Sequence, residues 1–217
     1  MSLSRNKIKI IHPKAFYHLT HLEILYLQKN SLQSLDQSTF ANNKKLKKLY
    51  LQANELKFIP SRLFKNNSEL VVLKLFDNNL IKKIDDQIFK NLSKLESLSF
   101  GNNSIQVIDG NSFVNNKQLI ELKFHQNRIR MIHPKTFYNL TQLEVLYLYH
   151  NSIESLDEST FSTNKKLKNL QLPGNKLKVL SPKMFIYNEN LEVLYLQFNL
   201  ISVIDKDMFK NIPVIVA

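Results

Sequence analysis

Residues 143–164 read LEVLYLYHNSIESLDESTFSTN, and the spacing within this stretch decides the fold. Leu143, Leu146 and Leu148 lead to Asn151, Ile153 and Leu156 follow, and Phe161 and Asn164 close the unit. The asparagine recurs as Asn6, Asn30, Asn54, Asn78, Asn103, Asn127, Asn151, Asn175 and Asn199, a step of 24 residues broken once by a step of 25. A phenylalanine column keeps the same beat: Phe16, Phe40, Phe64, Phe89, Phe113, Phe137, Phe161, Phe185 and Phe209. Fixed self-similarity at such a period marks a solenoid. The extra residue lies between Leu75 and Ile84, and predicts a small bulge in the convex-side loop there.

A longer repeat lies above the short one. The segment starting at Ile11, IHPKAFYHLTHLEILYLQKNSLQSLDQSTFANNKKLK, matches IHPKTFYNLTQLEVLYLYHNSIESLDESTFSTNKKLK from Ile132 at roughly two thirds of its positions, five units on. Positions outside the core also match, which suggests a block duplication.

One unit cannot bury its own leucines. Stacked units can, with Leu25 on Leu49 on Leu73 forming a continuous core. Their short strands then form a parallel sheet spaced about 4.8 Å, and nine strands give a concave face about 40 Å long. An asparagine amide both donates and accepts, so it can satisfy turn backbone groups that no neighbouring strand reaches. The phenylalanines supply bulk on the wider convex side.

The pattern L-x-x-L-x-L-x-x-N-x-L-x-x-L-x-x-x-x-F resembles the leucine-rich repeat family over essentially the whole chain. The 24-residue unit is similar to the "typical" class of animal extracellular ectodomains, Toll-like, Slit-like and arthropod immune proteins among them. The resemblance implies an α/β solenoid, a right-handed curved horseshoe of about nine turns. Its parallel sheet would lie on the concave side, with irregular or short helical segments outside. It also implies a secreted or ectodomain location and a role in innate immune recognition or cell adhesion. Relatives of that class carry cysteine-rich caps, and this chain has no cysteine. The expectation is therefore one leucine-rich repeat domain over residues 1–217, a segment of a longer protein. Uncapped ends and the apolar IPVIVA tail predict self-association.

Function is sought where side chains leave the sheet. Side chains alternate between faces along a strand, so residues four and two before each asparagine point away from the core. The first column holds Tyr26, Tyr50, Lys74, Ser99, Lys123, Tyr147, Gln171 and Tyr195, and the second holds Phe76, Gly101, His125 and Tyr149. Exposed aromatics on a sheet mark a binding surface, although neighbouring tyrosines also stack as a structural ladder. A protein partner is expected at Tyr26, Tyr50, Phe76, Lys74, Lys123, His125, Tyr147, Tyr149 and Tyr195. Ser99 and Gly101 read as a neutral gap in this run.

The net charge of +12 favours an acidic partner. Lysines crowd the loop before the strand, at Lys44, Lys45, Lys47 and Lys48 and again at Lys165, Lys166 and Lys168, with Lys82 and Lys83 elsewhere. They read as a solvated face, or alternatively as ridges for an anionic glycan such as glycosaminoglycan, or nucleic acid. Only four arginines are present and they are scattered, which weakens the nucleic-acid reading. An intracellular or microbial repeat protein is a third reading, one that the absence of cysteine suits.

Catalysis is not expected. No Ser/His/Asp set, pocketed carboxylate pair or Gly-rich phosphate loop is visible, and an open sheet cannot exclude water. No cofactor and no metal is expected: His125 and His150 could approach each other but lack a third ligand. His12 and His133 share one place in the duplicated turn. No apolar run approaches the ~18 residues that would span a bilayer. Sequons stand at Asn66, Asn91, Asn102 and Asn139. A glycan at Asn102 would border the concave face, and the other three would lie away from it.

Overall fold

The computed structural model describes residues 1–213. Ten strands of two or three residues punctuate it: β1 Ile24–Tyr26, β2 Lys48–Tyr50, β3 Val72–Lys74, β4 Ser97–Ser99, β5 Val107–Ile108, β6 Glu121–Lys123, β7 Met131–Ile132, β8 Val145–Tyr147, β9 Asn169–Gln171 and β10 Val193–Tyr195. Eight form one parallel sheet, in the order β1-β2-β3-β4-β6-β8-β9-β10. The first repeat adds only a bridge, Ser2 to Tyr26. The sheet therefore has one strand fewer than the nine expected, and its seven spacings span about 34 Å. The strands β5 and β7 pair separately on the flank where the chain leaves the main sheet. Among the described residues the convex segments are hydrogen-bonded turns, with no helix.

Register places like on like: Leu25 on Leu49 on Leu73 on Leu98 on Leu122, all fully buried. The phenylalanine column stacks behind them in three runs, Phe16 to Phe64, Phe89 to Phe113 and Phe137 to Phe209. In the central run the units bring extra bulk inward. Phe100 and Phe124 replace the leucine two residues beyond the strand-centre leucines Leu98 and Leu122, stack at 5.7 Å and meet Phe89 and Phe113 from within.

The turn asparagine ties each unit to its neighbours. Asn127 Nδ2 donates to Phe124 O in its own unit at 3.1 Å and to Phe100 O in the preceding unit at 2.9 Å. Its Oδ1 accepts from Ile105 N at 3.0 Å. Asn30, Asn54, Asn78, Asn151, Asn175 and Asn199 make the same bonds. The residue before each of these asparagines has positive φ, from Arg5 to Phe198, yet only Gly174 among them is glycine. Left-handed backbone costs an ordinary residue roughly 1–2 kcal/mol, so the amide bonds of the turn must offset that strain at eight positions, Gly174 being free of it. A second ladder runs on the convex side, where Asn164 Nδ2 donates to Phe137 O and Leu140 O at 2.9 Å each. Asn43, Asn67, Asn116 and Asn188 repeat it.

The 25-residue unit corrects one expectation. Its extra residue is not in the convex loop but directly after the turn, at Asn79 and Leu80. Asn79 takes a second positive φ, and Leu80 N bonds back to Asn78 O at 2.7 Å. This displaces Ile81, and Asn103 Oδ1 is the one acceptor of the ladder left buried without a partner. Ser104 bridges the step instead, its Oγ donating to Asn79 O at 2.7 Å.

Asn127→Ala removes three buried bonds and strands their partners. It is expected to cost about 2–4 kcal/mol, read as a fall in the urea-unfolding free energy. Deleting Leu80 is expected to raise the same quantity by about 1 kcal/mol, by returning Ile81 N to Asn103 Oδ1. A destabilised deletion variant would show that the inserted turn serves the fold.

Candidate partner-binding face

The concave sheet carries two aromatic clusters with an ionic network between them. At one end Tyr26 and Tyr50, paired in register, stack with centroids 4.8 Å apart and planes 13° from parallel. Burial raises the Tyr50 hydroxyl above the ordinary tyrosine range, and Tyr26 adds to the shift.

Lys74 follows in the same column and turns away from the tyrosines. Its Nζ donates to Ser97 Oγ at 2.6 Å and reaches over β4 to Glu121 Oε2 at 2.8 Å. Ser97 Oγ donates to the same oxygen at 2.5 Å, and Lys123 pairs with Glu121 Oε1. Burial by itself would raise the Glu121 carboxyl, but hydrogen bonds from Lys123, Lys74 and Ser97 outweigh it and bring it down to about 2. Two of the expected partner-binding cations are thus already held by a carboxylate of the same face.

The second cluster begins at Lys123, whose Nζ lies 4.9 Å from the centroid of the Tyr147 ring, a cation–π contact. His125 stacks on Tyr149 at 4.7 Å and 18°. The other side of its ring covers Gly101, where a methyl group would fall 2.2 Å from His125 Cε1. Only glycine at 101 admits this ring, so the expected neutral gap is filled from within the chain, and Ser99 is buried beside it. Burial lowers His125 below the ordinary imidazole range, with the Lys123 charge acting the same way. Tyr149 also meets Tyr147 at 6.0 Å and, edge-on, His150 at 5.5 Å. His125 and His150 therefore touch the same tyrosine, on its face and in an edge contact. Burial raises the Tyr149 hydroxyl, and Tyr147 contributes.

The expected site residues thus separate. Lys123, His125, Tyr147 and Tyr149 form one contact group, and Tyr26 and Tyr50 form another. Phe76 and Tyr195 are part-exposed without a ring partner. Glu121 and Ser97 were not anticipated. They belong to a third concave column, six residues before the asparagine, in which Glu121 is the sole carboxylate. That isolation was the available signal.

Elsewhere, Lys47 pairs with Glu23 at 3.0 Å, Lys168 with Glu144 at 2.9 Å, and Lys166 donates to Gln142 at 2.6 Å. Lys44, Lys45, Lys48 and Lys165, and Lys82 and Lys83 in the inserted unit, are exposed. Of the sequons, Asn66, Asn91 and Asn139 donate to backbone carbonyls of the preceding unit, at Ala41, Lys65 and Val114. Asn102 instead bonds Asp77 Oδ1 at 2.8 Å on the concave side. His12 and His133 each accept a backbone N–H two residues on, from Lys14 and Lys135, as shared turn residues. In the IPVIVA tail, residues 214–217 lie outside the described residues.

This stack of 24-residue turns around a parallel sheet defines a leucine-rich repeat solenoid. The chain belongs to the family described as BspA type Leucine rich repeat region, which matches residues 2–120 and 82–215 in six copies. No curated protein sequence matches the chain. Among solved structures it is similar to Drosophila Toll in the Toll–Spatzle complex, at 24% identity and a TM-score of 0.78. It is similar also to a leucine-rich repeat protein of Leptospira interrogans, at 22% and 0.77, and to TLR13 in complex with ssRNA13, at 28% and 0.69. These likenesses cover 91%, 99% and 90% of this chain but 31%, 59% and 32% of the other chains. No helix among the described residues is long and apolar enough to cross a membrane.

A carboxyl held at about 2 contributes stability that is fully present above its ordinary value of 4.5 and fades as pH falls through the lowered value. Glu121→Gln is therefore expected to lower the unfolding midpoint at pH 7. At pH 2 the variant and the parent should converge. An equal gap at both pH values would show that the charge on Glu121 is not what matters.

Proposed function

We propose that the chain recognises a protein partner through its concave face. The observation that carries this reading is the Lys123–His125–Tyr147–Tyr149 group. Its part-exposed rings are locked by stacking and by the Gly101 contact, in the middle of an otherwise open sheet. Rigid aromatics lose little conformational freedom on binding, which is why they dominate binding energies. Tyr26 and Tyr50 form a second anchor toward the first repeats, and Phe76 and Tyr195 extend the surface. Lys74 serves chiefly to hold Glu121.

The wider setting is read from the neighbours. Toll is seen with a protein, Spatzle, and TLR13 with single-stranded RNA. The protein-binding case supports an extracellular recognition scaffold in innate immunity or adhesion, with no catalytic role. In that setting Asn66, Asn91 and Asn139 would carry glycans away from the concave face and Asn102 beside it.

The test is capture from the extracellular fluid of the source organism at physiological salt. The parent chain is compared with a Tyr147→Ala/Tyr149→Ala variant and a Tyr26→Ala/Tyr50→Ala variant, with folding checked by circular dichroism. One protein retained by the parent and reduced at least about tenfold by the first variant is expected. Undiminished capture by both folded variants would remove the concave face from the reading.

A further inference from the structure

The flank where the chain leaves the main sheet has a composition unlike the rest of the surface. Directly after three of the turn asparagines stand Lys7, Arg128 and Lys176, and two residues further on in their units Lys9, Lys57, Arg130 and Lys178, with Lys82 one place later in the inserted unit, all exposed. Opposing them in these two columns are only Glu55 and Glu154. Five ion pairs exist among the described residues, and none uses any of these cations. On the entry flank, by contrast, Lys47, Lys94 and Lys168 are each paired with a glutamate of the preceding unit.

Beside the cations runs an exposed apolar row, with Ile10, Phe58, Val107, Met131, Val179 and Val203 four residues after their asparagines. The two features converge at β5 and β7. Gln106, Val107, Arg128, Arg130 and Met131 line a shallow cavity of about 350 Å³ there. Its floor is the small parallel sheet, with Ile108 and Ile132 buried beneath it. Val107 is 47% exposed and Met131 68%. Two of the chain's four arginines meet here. Alternation sends Ile129 inward and both guanidinium-bearing side chains out.

We propose that this patch is a second binding site, for an extended acidic segment of a protein partner. Each guanidinium offers a planar fork that fits a carboxylate, which a lysine does not. The Val107 and Met131 surface takes an aliphatic side chain lying between the carboxylates. Arginine and methionine are among the residue types enriched at protein interfaces. A nucleic acid would need rings to stack on, and the patch has none. The lysines along the rest of the flank draw the acidic segment in and set its direction. The proposal is independent of the concave face, because none of its residues lies there.

The test uses a displayed library of random twelve-residue peptides. It is depleted first on an Arg128→Ala/Arg130→Ala variant and then selected on the parent chain. Peptides with paired Asp or Glu flanking an aliphatic residue are expected to survive. Their affinity should fall at least about tenfold with the alanine pair, and by a smaller factor with Arg128→Lys/Arg130→Lys and with Met131→Ser. Lys44→Ala/Lys45→Ala should leave it unchanged. Three results would overturn the proposal: no peptide surviving depletion, survivors without acidic bias, or peptides that bind the Met131→Ser variant as well as the parent and are displaced by heparin or RNA at equal charge.

Discussion

Everything in this molecule rests on the amide of the turn asparagine. One side chain donates to two carbonyls, its own unit's and the preceding unit's, and accepts a backbone N–H from the preceding unit. The bond set holds only if the residue before the asparagine turns left-handed, and it does so in nine units. Arginine, lysine, glutamine, histidine and phenylalanine all tolerate that conformation here, so the local strain is subordinate to the buried bonds. Because each amide reaches back exactly one unit's depth, the columns stay in register. Register in turn decides which side chains meet.

The fold was legible because its signals are redundant. Asparagine, leucine and phenylalanine columns each report the same period, and any one of them suffices. The inserted residue was legible only to within a few positions. Spacing shows that Leu75 to Ile84 is long, but the place of the surplus depends on where backbone can absorb it. It settled beside the turn, where Asn79 accepts positive φ and Leu80 reaches solvent, because Ile81 and Ile84 must both reach the core. The breaks in the phenylalanine stack were likewise hidden. They accompany Phe100 and Phe124, which read as ordinary core positions until their bulk is seen against Phe89 and Phe113.

The concave site was legible as a set of columns but not as contacts. Alternation places Lys123, His125, Tyr147 and Tyr149 on one face, and it cannot say that His125 lies over Gly101 or that Lys74 crosses a whole strand to Glu121. Those contacts depend on what the adjacent unit lacks. A glycine at 101 leaves room for a ring, and Ser97 and Ser99 leave room for a long ammonium arm to pass over β4. Small residues that look like interruptions in one unit become the receptors for large residues of the next.

The same logic separates the two flanks. A net charge of +12 says nothing about where cations are free. On the entry flank, glutamates such as Glu23, Glu69 and Glu144 lie one unit before lysines, so stacking neutralises them in pairs. Such exposed pairs contribute little stability, but they remove lysines from competition for a ligand. On the exit flank the columns hold mostly serine, asparagine or glutamine at the neighbouring positions, and although Glu154 stands one unit after Arg130, none of the ion pairs among the described residues includes Arg128 or Arg130. Free positive charge in a solenoid is thus a property of columns, set by what precedes and follows each residue at the repeat distance. The conspicuous NKKLK runs are partly spent within the fold, whereas the inconspicuous RIRM segment is not.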